Sequence, residues 1–355
     1  MCNIINKRIL LFCNNLGYSL FAKGIEGLAK ENILSIVIRD DRYSTDLKSS
    51  GYSIYRIIKK MINYQFESLW VKEQLCEIGE KKYDYFVVIG YYQVKSSIIQ
   101  KIRSNNPKCQ CLIYFYDSFC RLNFSNDIIH FDKCYTFDRE DALKYKINYL
   151  PFFVEKYRKC NGISYDLCHI GSWSPGHVYR FPLLLYIEKK AKEHFLKSYF
   201  RCTYQDISHF STIKKIKYLF VAALNREYRL YWIFFKRYRN SAMLLTNRMN
   251  YSEILEIESK SSCIVEINAL RAGISPRVMN ALANGKKVII NTPFIKEEIF
   301  YSKNNILIIN DKGAGLDFSF LEAPFEYFDF SDLFIEEWIL ILFGLKDNKY
   351  NIKLS

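Results

Sequence analysis

The stretch CIVEINALRAGISPRVMNALANGKKVIIN, residues 263–291, decides how the chain is read. Its first five residues are largely apolar and partly β-branched, the pattern of a buried strand. A loop follows, then a helix with Ser275 at the N-cap and Pro276 at the first helical position, where a missing N–H costs nothing. Val278, Ala281 and Leu282 make the buried stripe of that helix. Gly285 closes it, with Lys286 and Lys287 at its negative end. Residues 288–290 form the next buried strand. Gly273 lets the loop backbone approach a ligand closely, and the open N–H groups at the helix start suit a phosphate. Arg277 sits in the first turn, where the helix dipole disfavours a cation. Two readings of it stand: it meets an anion, or it is an exposed side chain with no role.

Outward from this stretch the same alternation fills the chain. Strands are predicted at residues 8–13, 33–38, 83–89, 111–116 and 133–137, with helices at 18–30, through much of 53–80, and at 94–104. The pattern pauses at Leu150 to Phe153 and the polar run 155–162, then restarts. Further strands are predicted at 165–170, 199–204, 218–222, 263–267, 288–290 and 306–309, and helices at 179–193, 252–261, 276–283 and 331–345. Pro182 is tolerable because it falls in a first helical turn. Short apolar strands alternating with amphipathic helices predict an α/β fold with parallel sheets covered on both faces. The pattern runs twice, which predicts two Rossmann-like doubly wound domains, residues 1–155 and 156–330, followed by a C-terminal helix and tail at 331–355. Such sheets bind ligands outside the carboxyl ends of their strands, so the expected site is a cleft onto which both domains face.

Composition narrows the function. A chain of 355 residues suits two domains, and a hydrophobic half is ample for two cores. A charged quarter excludes a disordered chain and an integral membrane protein. No apolar run reaches the roughly 18–20 residues that span a bilayer, and the run at 9–13 is too short for a secretory leader, so a cytoplasmic protein is expected. Eleven cysteines are scattered with no CxxC; the closest pair is Cys109 and Cys111. That speaks against a zinc site or a disulfide framework and for a reducing compartment. Asp40 and Asp41, the one adjacent Asp pair, read as surface residues, and no metal or cofactor is expected.

The net charge of +14 implies an anionic partner: nucleic acid, lipid headgroups or a pyrophosphate-bearing molecule. No RRM, KH, zinc-finger or helix-turn-helix signature supports nucleic acid. Residues 226–239, REYRLYWIFFKRYR, interleave basic and aromatic side chains. They read equally as a contact with an anionic membrane surface and as a helix burying Leu230, Ile233 and Phe234 against its own sheet.

The 263–291 stretch resembles a group of bacterial GT-B-like glycosyltransferases of lipopolysaccharide and capsule assembly, related to CgeB-like proteins. Their pattern is a strand ending near an Asn, a Gly-containing loop, an Arg in the first helical turn, then Glu-Ala-Leu-x-x-Gly-Lys-Lys and a buried strand. Here stand Asn268, Gly273, Arg277 and Ala281-Leu282-Ala283-Asn284-Gly285-Lys286-Lys287. Asn280 replaces the usual Glu, which in many such enzymes holds the donor ribose; Asn bonds a hydroxyl without charge assistance. A second similar region runs through Asp117, Phe131-Asp132-Lys133, Phe137-Asp138-Arg139-Glu140-Asp141 and Leu150-Pro151, in the family's order.

The resemblance implies a glycosyltransferase that moves a sugar from a nucleotide-sugar donor to a lipopolysaccharide or capsule glycan without a metal, at or near the inner face of the cytoplasmic membrane. The other reading is a non-catalytic GT-B-like protein that binds a glycan or a partner, and Asn280 favours it. Donor-side candidates are Gly171 and Ser172, expected as a turn after the first strand of the second domain, with His177, Arg180, Asn268, Gly273, Ser275, Arg277 and Asn280. His169, inside that strand, reads as a packed core histidine. Acceptor-side candidates are Asn14, Gly17 and Tyr18. Asp117, just after a buried strand, is either a general base or a turn-capping residue. Asp138 is expected to cap a helix, with Asp141 completing a capping box.

Overall fold

The computed structural model describes residues 7–13, 24, 35–39, 72, 75, 76, 78–90, 94, 96–119, 128–157, 162–204, 212–268 and 273–352. The chain divides into two compact units: residues 1–153 with 331–355, and residues 154–330. The C-terminal helix, expected as an appendage, is therefore part of unit 1.

Unit 1 contains strands β1 (Ile9–Cys13), β2 (Ser35–Arg39), β3 (Tyr85–Ile89), β4 (Gln110–Phe115), β5 (Lys133–Thr136) and β6 (Asn148–Tyr149). They form one parallel sheet in the order β2-β1-β3-β4-β5-β6. β3 is buried at every position, which is why it reads as a continuous apolar run rather than an alternating one. On one face Leu10, Phe86, Val88, Ile113 and Phe115 pack with Ile98, Ile99 and Ile102 of helix α1 (Ser96–Asn105). Tyr85, Tyr114 and Tyr135, at alternate positions, meet the C-terminal helix instead. Its Trp338 lies edge-on to Tyr114 at 4.7 Å, its Phe343 lies 4.6 Å from Tyr85, and its Ile341 carbonyl accepts from the Tyr135 hydroxyl. Trp338 also donates its indole N–H to the Pro151 carbonyl at 2.7 Å.

Helix α2 (Arg139–Tyr145) starts at Asp138, whose carboxylate accepts from the N–H groups of Glu140 and Asp141. The expected capping box does not close. Asp141 turns its carboxylate to the Phe119 N–H at 2.6 Å and the Ser118 hydroxyl at 3.0 Å, tying the loop after β4 to the helix start.

Unit 2 contains β7 (Tyr165–Trp173), α3 (Arg180–Glu193), β8 (Ser198–Tyr204), α4 (Thr212–Leu224), α5 (Arg226–Tyr238), β9 (Leu244–Leu245), α6 (Tyr251–Ser259), β10 (Ser261–Glu266), α7 (Pro276–Ala283), β11 (Lys287–Ile290) and β12 (Ile306–Ile308). Its parallel sheet runs β12-β11-β10-β7-β8-β9, the doubly wound order in which the chain starts centrally and builds outward on both sides. The direction of building reverses between β7 and β10. Helix α8 (Ile335–Phe343) follows in sequence and belongs to unit 1.

Two expectations fail here. Residues 218–222 are not a strand; they lie within α4. Five apolar residues are too few to show whether their period is 2 or 3.6. In the helix Tyr218 packs on Tyr228 and Trp232 while Leu219 and Phe220 face outward. Gly171 and Ser172 are not a turn. β7 continues through them to Trp173, because each pairs with β8: Gly171 with Cys202, Ser172 with Thr203 and Trp173 with Tyr204. Trp173 then anchors the following bend by stacking on Phe181 at 4.6 Å and donating to the Val178 carbonyl.

Candidate functional site

The carboxyl ends of β7, β8 and β9 enclose a cavity of about 130 Å³. Ile170 and Gly171 of β7 and Arg201 and Thr203 of β8 line one side; Leu245, Met249 and Ile254 supply an apolar wall; Arg248 and Arg277 complete the rim. Three arginines therefore line one small pocket that also has an apolar wall.

Gly171 sits here for a steric reason. A Cβ at this position would come within 2.8 Å of His169 Nε2, a buried ring with no room to move. His169 bonds the Val265 carbonyl through Nδ1 at 2.7 Å, so Nδ1 carries the hydrogen and Nε2 is the bare lone pair. Burial, assisted by the charges of Arg277 and Arg180, lowers its pKa to about 3, so the ring stays neutral. The Gly171 carbonyl accepts from the Thr203 hydroxyl at 3.1 Å, which fixes the β7–β8 edge beneath the cavity.

Four arginines from different parts of unit 2 approach this edge and are held differently. Arg180, at the start of α3, is buried; it donates to the Ile267 carbonyl at 2.8 Å and the Ser172 carbonyl at 2.7 Å. It thereby joins the ends of β7 and β10, where the sheet's building direction reverses. Arg277 donates to Glu258 Oε1 at 3.0 Å and Glu266 Oε2 at 2.5 Å, with both carboxylates nearly inaccessible. The anion it meets in this structure is thus a pair of protein carboxylates. Tyr157 donates a further bond to Glu258 at 3.0 Å. Burial opposes the charge on Arg277, but Glu266 and Glu258 together raise its pKa above the ordinary value. Burial also pushes Glu258 up despite Arg277, whereas at Glu266 the charges of Arg277 and Arg180 overcome burial and hold the carboxyl low. Arg201 lays its guanidinium over the Tyr199 ring at 4.5 Å and donates to its neighbour's carbonyl, Phe200. Arg248 is exposed on the rim.

The remaining candidates are placed as follows. Ser275 caps α7, accepting from the Val278 N–H. The Asn280 side-chain Oδ1 accepts from the Glu155 N–H at 2.9 Å, and Asn284 brackets the same segment through Glu155 O and Tyr157 N. These two asparagines bind residues 155–157 to α7. The Asn268 N–H donates to Asn291, which also bonds the Asn268 carbonyl and Asp311. Gly273 is half-buried just before α7, and His177 closes a 3-10 turn, Pro175–His177, with its N–H on the Ser174 carbonyl. In unit 1, Asp117 is half-buried two residues past β4. Asn14, Gly17 and Tyr18 lie outside the described residues, as do Asp40 and Asp41.

Sequence reasoning missed Arg201, Thr203, Leu245, Arg248 and Met249. The first two were detectable as the end of a predicted strand. The others lie at the end of β9 or just after it, and that strand is two residues long and has no periodic signature. Among the described residues, no group of three or more His, Cys, Asp or Glu is placed to hold a metal ion. None of the described helices is long and apolar enough to cross a membrane.

No protein-family model matches the chain, and no curated protein matches it. Solved structures do. The N-terminal domain of Candida albicans trehalose-6-phosphate phosphatase superposes with a TM-score of 0.55 at 11% identity, covering 97% of this chain and 98% of that one. The OtsA apo structure gives 0.55 at 10%, covering 95% and 99%. The E. coli trehalose-6-phosphate structure bound with UDP-2-fluoro glucose gives 0.52 at 10%, covering 96% of each chain. At this identity the likeness concerns the fold: two successive Rossmann-like α/β domains of the GT-B class.

Proposed function

We propose that the chain is a GT-B glycosyltransferase that seats a nucleotide-sugar donor at the carboxyl edge of unit 2 and transfers the sugar to a hydroxyl of a cell-surface glycan. The observation that carries this reading is the cavity over Gly171 and Thr203. It joins an apolar wall of Leu245, Met249 and Ile254, suited to a nucleobase, with the cationic Arg201 and Arg248, suited to a diphosphate. The GT-B likeness supports it, since one of the similar structures holds a UDP-sugar analogue.

Sugar transfer releases a nucleoside diphosphate, and its developing charge must be stabilised. Preorganised guanidinium groups do this without a metal. In this assignment Arg201 and Arg248 bear that charge. Arg277 acts one step back: with Glu258 and Glu266 it braces α6, β10 and α7 around the cavity. Asp117 is the proposed base for the acceptor hydroxyl. The proposed acceptor class is lipopolysaccharide or capsule glycan, and the proposed location is cytoplasmic.

A second reading is favoured by one observation. Asn280, standing where the resembling family has a ribose-binding Glu, accepts the Glu155 backbone N–H on its side-chain amide oxygen. A protein that holds a nucleotide-sugar or glycan without transferring it fits that engagement. Calorimetric titration with a panel of nucleoside diphosphates and their sugars tests both. Binding of one nucleotide with Kd in the micromolar range is expected, weakened about tenfold by Arg201→Ala or Arg248→Ala, a loss of about 1.4 kcal/mol. Absence of binding across the panel refutes the donor site. Binding without turnover in the presence of acceptor glycans selects the non-catalytic reading.

A further inference from the structure

Helix α4 turns an apolar stripe to solvent. Ile216, Leu219, Phe220 and Leu224 are 64, 56, 61 and 72% exposed, and Ala223 is exposed with them. Their spacing places them on one face of the helix. The opposite side does the packing: Ala222 is buried, and Tyr218 meets Tyr228 and Trp232 of α5. Helix α5 behaves in the ordinary way, burying Tyr231 and Phe235. Its outer face shows Arg226, Arg229, Ile233, Lys236 and Arg237. Arg229 reaches back to the Ala223 carbonyl at 2.7 Å, so the basic face begins at the end of the apolar stripe. Across residues 212–239 there are eight Lys or Arg and one acid, Glu227.

We infer that α4 and α5 form a docking surface for an anionic lipid bilayer, with α4 lying in the interface and α5 supplying the charge. Four large apolar side chains in one stripe are costly to leave in water, and a basic rim beside them selects a surface that is apolar below and negative above. A protein partner or a second copy would have to supply both an apolar groove and dense negative charge; an anionic leaflet supplies both everywhere. The aromatic and basic run at 226–239 thus contributes charge, while the insertion belongs to the helix before it. This surface extends the proposed function, since a membrane-bound acceptor would be met there, yet it stands without that reading because docking needs no nucleotide.

Co-sedimentation with vesicles, without nucleotide, tests it. The full chain is expected to pellet with vesicles of phosphatidylcholine and phosphatidylglycerol, and much less with phosphatidylcholine alone. Phe220→Glu, at an exposed position that leaves folding intact, should lower vesicle affinity about tenfold. Arg226→Gln and Arg237→Gln should each lower it about fivefold, and added salt should mimic them. Equal pelleting with and without anionic lipid overturns the inference. So does a wild-type dimer in analytical ultracentrifugation that Phe220→Glu dissociates, since the stripe would then belong to a second copy. A chain that docks on vesicles but binds no nucleotide refutes the transferase reading alone.

Discussion

The two sheets are built alike and finished differently at their carboxyl edges. In unit 1 the described loop after β4 is drawn inward by acids: Asp141 holds Phe119 and Ser118, and Asp138 caps α2. In unit 2 the same edge is crowded with arginines: Arg180 and Arg277 are held by buried protein groups, and Arg201 and Arg248 line the cavity together with Arg277. A doubly wound sheet supplies an edge and its open backbone groups; the residues just past each strand decide its charge. Unit 2 also shows how a cation is kept at such an edge. Arg180 is held by carbonyls and Arg277 by carboxylates, and only Arg277 leaves buried charges behind when removed.

That difference sets the order of the expected effects. Arg277→Ala should be the most damaging change, lowering the stability of unit 2 by about 3–5 kcal/mol, because Glu258 and Glu266 would remain buried without their cation. Urea unfolding followed by a probe in unit 2 measures it; a loss below about 1 kcal/mol would mean that the carboxylates find other partners.

Acid comes next. His169 is neutral when folded, with a pKa near 3, and takes up a proton near 6.5 when unfolded. Its contribution is therefore intact above 6.5 and lost as pH falls toward 3, at up to about 1.4 kcal/mol per pH unit. Glu266, held low by Arg277, adds a loss of the same sign below about 4.5. A His169→Gln variant keeps a donor for the Val265 carbonyl and should flatten the wild-type slope between pH 6.5 and 4.5. Identical slopes would show that the ring titrates normally.

Unit 1 should be the milder case. Asp141→Ala leaves the Phe119 N–H without its acceptor and should cost about 1–3 kcal/mol. A cost above that of Arg277→Ala would reverse the comparison.

Much of this was legible beforehand. The cap at Ser275, the Pro276 start and the core stripe of α7 stand as their residue types require, because local chemistry alone dictates them. His169 is the packed core histidine that its place in an apolar strand suggested. The partner of Arg277 was not legible. Glu258 and Glu266 lie 19 and 11 residues away, and only the fold brings them to the guanidinium. The end of β7 was misjudged because Gly-Ser favours turns locally, while pairing with β8 overrides that preference. The strand expected at 218–222 failed for a related reason: an apolar run says that a segment is sticky, and α4 keeps much of that surface in the open.

Helix α8 has one more consequence. Its Trp338, Ile339, Ile341, Leu342 and Phe343 are all buried against a sheet whose last strand ended near residue 149. Unit 2 is thus an insertion, and unit 1 is a broken sentence completed only at its close. During synthesis the nascent sheet waits with Tyr85, Tyr114 and Tyr135 uncovered while some 180 residues of the second unit emerge. The inserted unit can reach its fold first, and the earlier-made sheet is the one that chaperones would shelter.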